Sequence, residues 1–194
     1  MKKELQELWK IYQYSFPESE RRDLQHQKRI LKDPLYHLLP LYDQHNLSGF
    51  VAFWDLNTFI FIEHLAIKKT LRGKGYGSKA IKRMASKYPK IVLEVEKPDT
   101  RDARRRISFY ERLGFILNSY PYLQPPYQPR MYPVPLFLMS FPRKLKEWEF
   151  HQTRNILYTR VYHQTPPFDA YGKTEDTKDR VSQFTNIPGE QQTV

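Results

Sequence analysis

Ile62-Glu63-His64-Leu65-Ala66-Ile67-Lys68-Lys69-Thr70-Leu71-Arg72-Gly73-Lys74-Gly75-Tyr76-Gly77-Ser78-Lys79-Ala80-Ile81-Lys82-Arg83-Met84-Ala85-Ser86-Lys87-Tyr88 reads as a strand, a basic turn and a helix, and it decides the fold. Arg72-Gly73-Lys74-Gly75-Tyr76-Gly77 puts small residues where the helix begins. Backbone N–H groups without an intrahelical partner can close there on a bulky anion, and the helix dipole adds positive potential. From Lys68 to Lys90 there are nine Lys or Arg and no Asp or Glu, so a ligand with several phosphates meets a field of one sign. A solvated helix face would also carry lysines, but it would carry acids among them.

Outward from this stretch the pattern is mixed. Leu5, Leu8, Trp9, Tyr12 and Phe16 recur at helical spacing up to Pro17, which predicts an opening amphipathic helix. Glu18 to Asp33 reads as a weak second helix, and Tyr36 to Tyr42 as a strand that Pro40 confines to an edge or a bulge. Gly49 to Trp54 and Thr58 to Ile67 form a hairpin, the second run apolar enough for a central strand. Tyr76, Ala80, Ile81, Met84, Ala85 and Tyr88 share one helical face, and Ile91-Val92-Leu93-Glu94-Val95 is a β-branched strand. The unit is therefore β-α-β with parallel strands. Pro98-Asp99-Thr100 opens a further helix that ends at Gly114. Phe115 to Ser119 and Val134 to Phe141 read as the last strands, with a proline and tyrosine loop between them. Leu145, Trp148, Ile156, Leu157 and Val161 indicate a final helix.

The 194 residues, 40% hydrophobic and 15% aromatic, suit one α/β (α+β) domain over 1–163 with a polar tail over 164–194. A net charge of +11 admits nucleic acid, membrane surface or a phosphorylated ligand as partner. The absence of cysteine excludes disulfides and thiolate chemistry and suits a reducing compartment. No signal peptide or membrane span is legible, so a cytoplasmic protein with no membrane partner is expected.

Three glycine loops compete for the anion. A Walker loop is ruled out because Ser78, not glycine, precedes Lys79. Gly75-x-Gly77-x-x-Ala80 fits a dinucleotide fingerprint, with Glu94 or Glu96 about twenty residues on, but Lys68 to Lys74 separate it from its strand and no second mononucleotide half follows. The third pattern, R-x-x-G-x-G at Arg72, Gly75 and Gly77, is followed by a strand and then a helix ending Ser108-Phe109-Tyr110-Glu111-Arg112-Leu113-Gly114-Phe115. That combination, over roughly Gly49 to Phe141, resembles the GNAT superfamily of acetyl-CoA-dependent N-acyltransferases. Ser15-Phe16-Pro17-Glu18-Ser19-Glu20-Arg21 and Tyr122-Leu123-Gln124-Pro125-Pro126-Tyr127 are similar to segments of its small bacterial members.

The resemblance implies a single GNAT-like domain: a mixed, mostly antiparallel sheet with a splayed parallel strand pair and flanking helices. It also implies acetyl-CoA as acyl donor with no metal, and a small-molecule or peptide amine as acceptor. The pyrophosphate would lie on Arg72, Gly73, Lys74, Gly75, Tyr76, Gly77 and Ser78, and the pantetheine arm along Leu65, Ala66 and Ile67. Where the family often has Asn, this chain has Ala103-Arg104-Arg105-Arg106, so Arg105 is the expected phosphate contact there. The attacking amine must lose a proton, the oxyanion needs N–H donors such as the one near Leu65, and the departing thiolate needs an acid. Tyr110 matches the family's acid, although its face is shared with Ile107 and Leu113 as in any core aromatic.

Two carboxylates stand open as base. Glu94 resembles that of N-terminal acetyltransferases. Glu63 lies on a strand face with Phe59, Phe61 and Leu65, where isolation among apolar neighbours would raise its pKa. His64 is read as structural, pointing away from Glu63. A non-catalytic basic module binding nucleic acid is disfavoured because the aromatics sit at core spacing, not among the basic residues. A coenzyme A sensor without activity is the other alternative, and the state is monomer or homodimer.

Overall fold

The computed structural model describes residues 3–128 and 131–167. Six strands, β1 (Tyr36–Asp43), β2 (Asn46–Asp55), β3 (Ile60–Ile67), β4 (Ile91–Glu96), β5 (Ile116–Gln124) and β6 (Val134–Phe141), lie in the order β1-β2-β3-β4-β6-β5. β3 and β4 are parallel and every other pairing is antiparallel. Alternation along the central strands sends residues to two cores. Phe50, Trp54, Phe61, Val92 and Leu138 pack with α1 (Lys3–Ser15), α2 (Leu24–Ile30) and α5 (Glu147–Ile156). Val51, Ile62, Leu93 and Met139 pack with α3 (Tyr76–Lys87) and α4 (Arg101–Glu111).

The helix boundaries follow from local chemistry. The side chain of Thr100 accepts the N–H of Ala103 and caps α4, and Gly114 closes it at φ 88°. Asp23 likewise caps α2 through the N–H of His26, which is why helix forms only from Leu24. The preceding Glu18–Glu20 is a single 3-10 turn instead of the first part of a long helix. Beyond α5 the chain continues through a π-helical turn, Leu157–Val161. Among the described residues no helix is long and apolar enough to cross a membrane. Of the expected tail, 168–194 lies outside the described residues.

Two strands depart from the sequence reading through bulges. β5 runs on to Gln124, past Ser119, because it is the sheet's edge and its register shifts between Asn118 and Tyr122. Pro121, which has no N–H to give, is tolerated there. In β3, Ala52 pairs with His64 and Phe53 with Ile62, so Glu63 is an extra residue without an opposite number on β2. The bulge breaks the alternation. Glu63 and His64 consequently face the same core, 3.5 Å apart at Oε2 and Nδ1, and Leu65 turns to the other. The expected opposition of His64 and Glu63, and the grouping of Leu65 with Phe61, are both corrected by this one inserted residue.

β2 and β3 also approach closely at Gly49. A Cβ there would stand 2.1 Å from the carbonyl oxygen of Ala66. Gly49→Ala should therefore lower stability by roughly 1–3 kcal/mol, the usual cost of overpacking. In urea unfolding this reads as a lower midpoint at unchanged slope, and an unchanged midpoint would refute the close approach.

Candidate active site

The parallel pair holds together for only three registers, Ile60 with Ile91, Phe61 with Val92 and Ile62 with Leu93. Beyond them β3 stays with β2 and β4 stays with β6, so the sheet forks between its two central strands. The main-chain N–H of Lys68 bonds Ser48 O, and alternation back along β3 directs Ala66 and His64 to β2 and the main chain of Leu65 and Ile67 into the fork. Arg72 Nε donates to Ile67 O at 3.1 Å and ties the basic turn to this edge.

At the open end of the fork, Gly73 and Gly75 have φ of 79° and 85°, and a Cβ on either would point into open space. Gly75 precedes α3 without any capping side chain, and the first bond of the helix runs from Lys79 N to Gly75 O at 2.9 Å. The N–H groups of Tyr76, Gly77 and Ser78 are thus left without a helical carbonyl. A Cβ on Gly77 would meet Phe109 of α4 at 3.5 Å, so the two helices meet beside the turn. Arg105 stands one helical turn before Phe109 on the same side of α4. Arg104 is committed to the carbonyls of Pro98 and Asp99, and Arg106 to Glu96 at 2.7 Å. Arg105 is exposed and has no such partner among the described residues. These groups fit a diphosphate.

At the closed end stand Glu63 and Glu94, each the first residue after its strand leaves the pairing, with both side chains on the α1 and α5 face. Their environments differ sharply. The Glu63 side chain is fully enclosed and ion-paired at 2.7 Å with the equally buried Arg22. Burial pushes its carboxyl up, but Arg22 and His64 outweigh burial and hold it at about 2. The raised pKa expected of Glu63 is therefore corrected: Arg22, 41 residues earlier in the chain, supplies the charge that the strand pattern lacks. Among the described residues, Glu94 receives only neutral donors. They are the hydroxyl of Tyr122, Gln124 Nε2 at 2.6 Å and the Tyr162 hydroxyl at 2.9 and 2.7 Å from its two oxygens. Burial pushes Glu94 up to about 7 against those hydrogen bonds, with the negative charge of Glu63 adding to the rise.

Tyr110 lies across the sheet, in the other core, with its ring against Phe109 and Phe115. Burial pushes its hydroxyl up to about 12, opposed by Arg106. Tyr110 and the two carboxylates thus lie on opposite faces of the sheet.

Arg22, Tyr122, Gln124, Tyr127 and Tyr162 are the residues of this site that the sequence reading did not single out for chemistry. Four of them fall in or beside segments it did note. Tyr122 and Gln124 are two apart on β5 and so share a face, and Gln128 Nε2 binds the carbonyls of Glu18 and Arg21, bringing the two noted segments together. Tyr162 carried no signal beyond helical spacing.

The profile of the Acetyltransferase (GNAT) family matches residues 2–115. "Putative acetyltransferase YjbC" of Bacillus subtilis (strain 168) is 34% identical over 110 residues, 55% of this chain and 54% of that protein, so the chain spans about half the length of this curated relative. A solved structure of a "Putative acetyltransferase from GNAT family" of Bacteroides thetaiotaomicron superposes with a TM-score of 0.78 at 33% identity, covering 82% of this chain and 92% of that one. The ribosomal-protein-S18-alanine N-acetyltransferase of Escherichia coli, at 15% identity and a TM-score of 0.54 over 75% of this chain and 92% of its own, shares the fold. With its forked sheet, glycine turn and matching profile, the chain belongs to the Acetyltransferase (GNAT) family.

Proposed function

We propose that this protein transfers an acetyl group from acetyl-CoA to a primary amine of a small molecule or peptide. The observation that carries this reading is the fork itself: a glycine turn with free N–H groups at one end, and at the other a buried carboxylate held by neutral donors. The N–H groups of Gly73 to Ser78 and the Arg105 guanidinium would hold the donor's phosphates, and the main chain of Leu65 and Ile67 its pantetheine arm. Ala66 turns its main chain to β2 and serves as filler.

Glu94, not Glu63, is the base of this reading. A group at about 2 and sealed in an ion pair takes no proton from an ammonium at neutral pH, whereas one at about 7 is matched to the task. Glu94 would accept a proton from the acceptor ammonium, freeing the lone pair that attacks the thioester carbon. The Leu65 N–H would donate to the oxyanion. As the carbon–sulfur bond breaks, Tyr110 would give its proton to the thiolate and be reprotonated at the expense of the nitrogen, which sheds its surplus proton as the amide forms, so the products are an amide and free coenzyme A.

Saturating acetyl-CoA should raise the thermal unfolding midpoint. No rise at concentrations far above micromolar, together with salt-sensitive binding of nucleic acid, would replace this reading with the basic-module one. Thiol release across a panel of amines then identifies the acceptor. Tyr110→Phe should slow that release about 100-fold, within the range of general acid catalysis, while preserving the acetyl-CoA shift; equal turnover removes Tyr110 from the mechanism.

Glu94 also predicts a pH dependence of stability. Its carboxyl is raised from 4.5 to about 7, so its contribution is fully present below 4.5 and is lost as pH rises through 7. Relative to Glu94→Gln, the wild type should lose about 3 kcal/mol between pH 4.5 and pH 8. Urea unfolding at a series of pH values measures this, and a constant difference would show that Glu94 is not raised.

A further inference from the structure

Among the described residues, every side chain that donates to Glu94 lies beyond residue 115, where the family match ends. The contacts continue past Glu94 and return on themselves. The Tyr162 hydroxyl lies 3.4 Å from that of Tyr127, which lies 3.2 Å from Glu63 Oε1. Glu63 is paired with Arg22 at 2.7 Å, and Arg22 Nη2 donates at 3.3 Å to the carbonyl of Val161, the residue before Tyr162. The circuit joins both arms of the fork to the loop after β5 and to the π-helical turn.

Proton counting gives this circuit two arrangements with the same heavy-atom positions. With Glu94 ionised, Tyr162 donates to it and accepts from Gln124 Nε2 at 3.0 Å. With Glu94 protonated, its own O–H donates to Tyr162. The Tyr162 proton then turns to Tyr127, whose own proton stays on Glu63, which Arg22 keeps ionised and accepting. We infer that Tyr162, through Tyr127, is a positioning residue that holds Glu94 in one place in both its charged and neutral forms by turning its hydroxyl proton toward Tyr127 and the Arg22–Glu63 pair behind it. This rests on Glu94 as the base. The groups facing Glu94 are Tyr122 from β5, Tyr158 and Tyr162 from the π-helical turn and its end, Tyr127 from the loop, and Glu63 from β3 with Arg22 behind it.

Carboxyl carbon NMR of the full chain across pH tests this without any acceptor, with the Glu94 signal assigned by its loss in Glu94→Gln. Tyr162→Phe removes a donor to the carboxylate and should move the Glu94 midpoint to higher pH by about one unit, the worth of one hydrogen bond to a charged oxygen. Tyr127→Phe leaves that donor but cuts the outlet used by the neutral form, and should move the midpoint to lower pH. Opposite shifts support the inference. A merely structural role loosens the site in both variants and moves both midpoints down toward the ordinary carboxylate value; that result, or any pattern other than opposite shifts, overturns it. Failure of the base reading is separately visible, as full turnover by Glu94→Gln in the thiol-release assay.

Discussion

A sheet whose two central strands part company leaves main-chain donors and acceptors unpaired in its middle, where water is scarce and each unmet group is costly. The extra residue at Glu63 bends β3 at the point where β4 leaves it, and a bulge both bends and twists the strand that carries it. Everything near the fork answers to that constraint. The cores stay divided by face, and the basic turn attaches to the free edge through Arg72 and Ile67. An extended chain laid between the strands would meet the main chain of Leu65 and Ile67 as a partner strand would.

The two carboxylates at the fork show how environment separates like groups. Both are withdrawn from water and both are hydrogen-bonded, yet one is held at about 2 and the other rises to about 7. The difference is the charge of the partner. Arg22 gives Glu63 a full positive charge at 2.7 Å, while tyrosines and a glutamine give Glu94 only dipoles. Burying an ion pair costs several kcal/mol per ion in desolvation and returns little net stability. Its effect here is therefore geometric: it fixes the Arg22 segment against β3, with the guanidinium 4.7 Å from the Tyr127 ring and 5.8 Å from that of Trp54.

The β-α-β unit, the glycine turn and the helix ending at Gly114 were all legible in the sequence, because each depends on residues within one or two turns of one another. Hydrophobic period and cap chemistry are local. The side chosen by Glu63 was not. A bulge depends on the length match between two strands, and one inserted residue inverts every facing after it, so alternation read from β3 alone put His64 and Leu65 on the wrong faces. The pKa of Glu63 was hidden for the same reason, since its counter-charge comes from a segment whose own pattern shows only a weak helix.

The contrast between the two ends of the fork follows from what each must recognise. A diphosphate is a compact charge that a few successive N–H groups can surround, so one contiguous turn suffices. A carboxylate that must remain in place while its charge changes needs donors from several directions. A strand offers side chains on two faces and a helix on one stripe, so no single element presents them all. Such a site has to be gathered, here from β5, the following loop, the Arg22 segment and the π-helical turn. The π-helical turn belongs to that requirement: it ends the last helix at Val161, where Arg22 holds the carbonyl and the next residue, Tyr162, is delivered to Glu94.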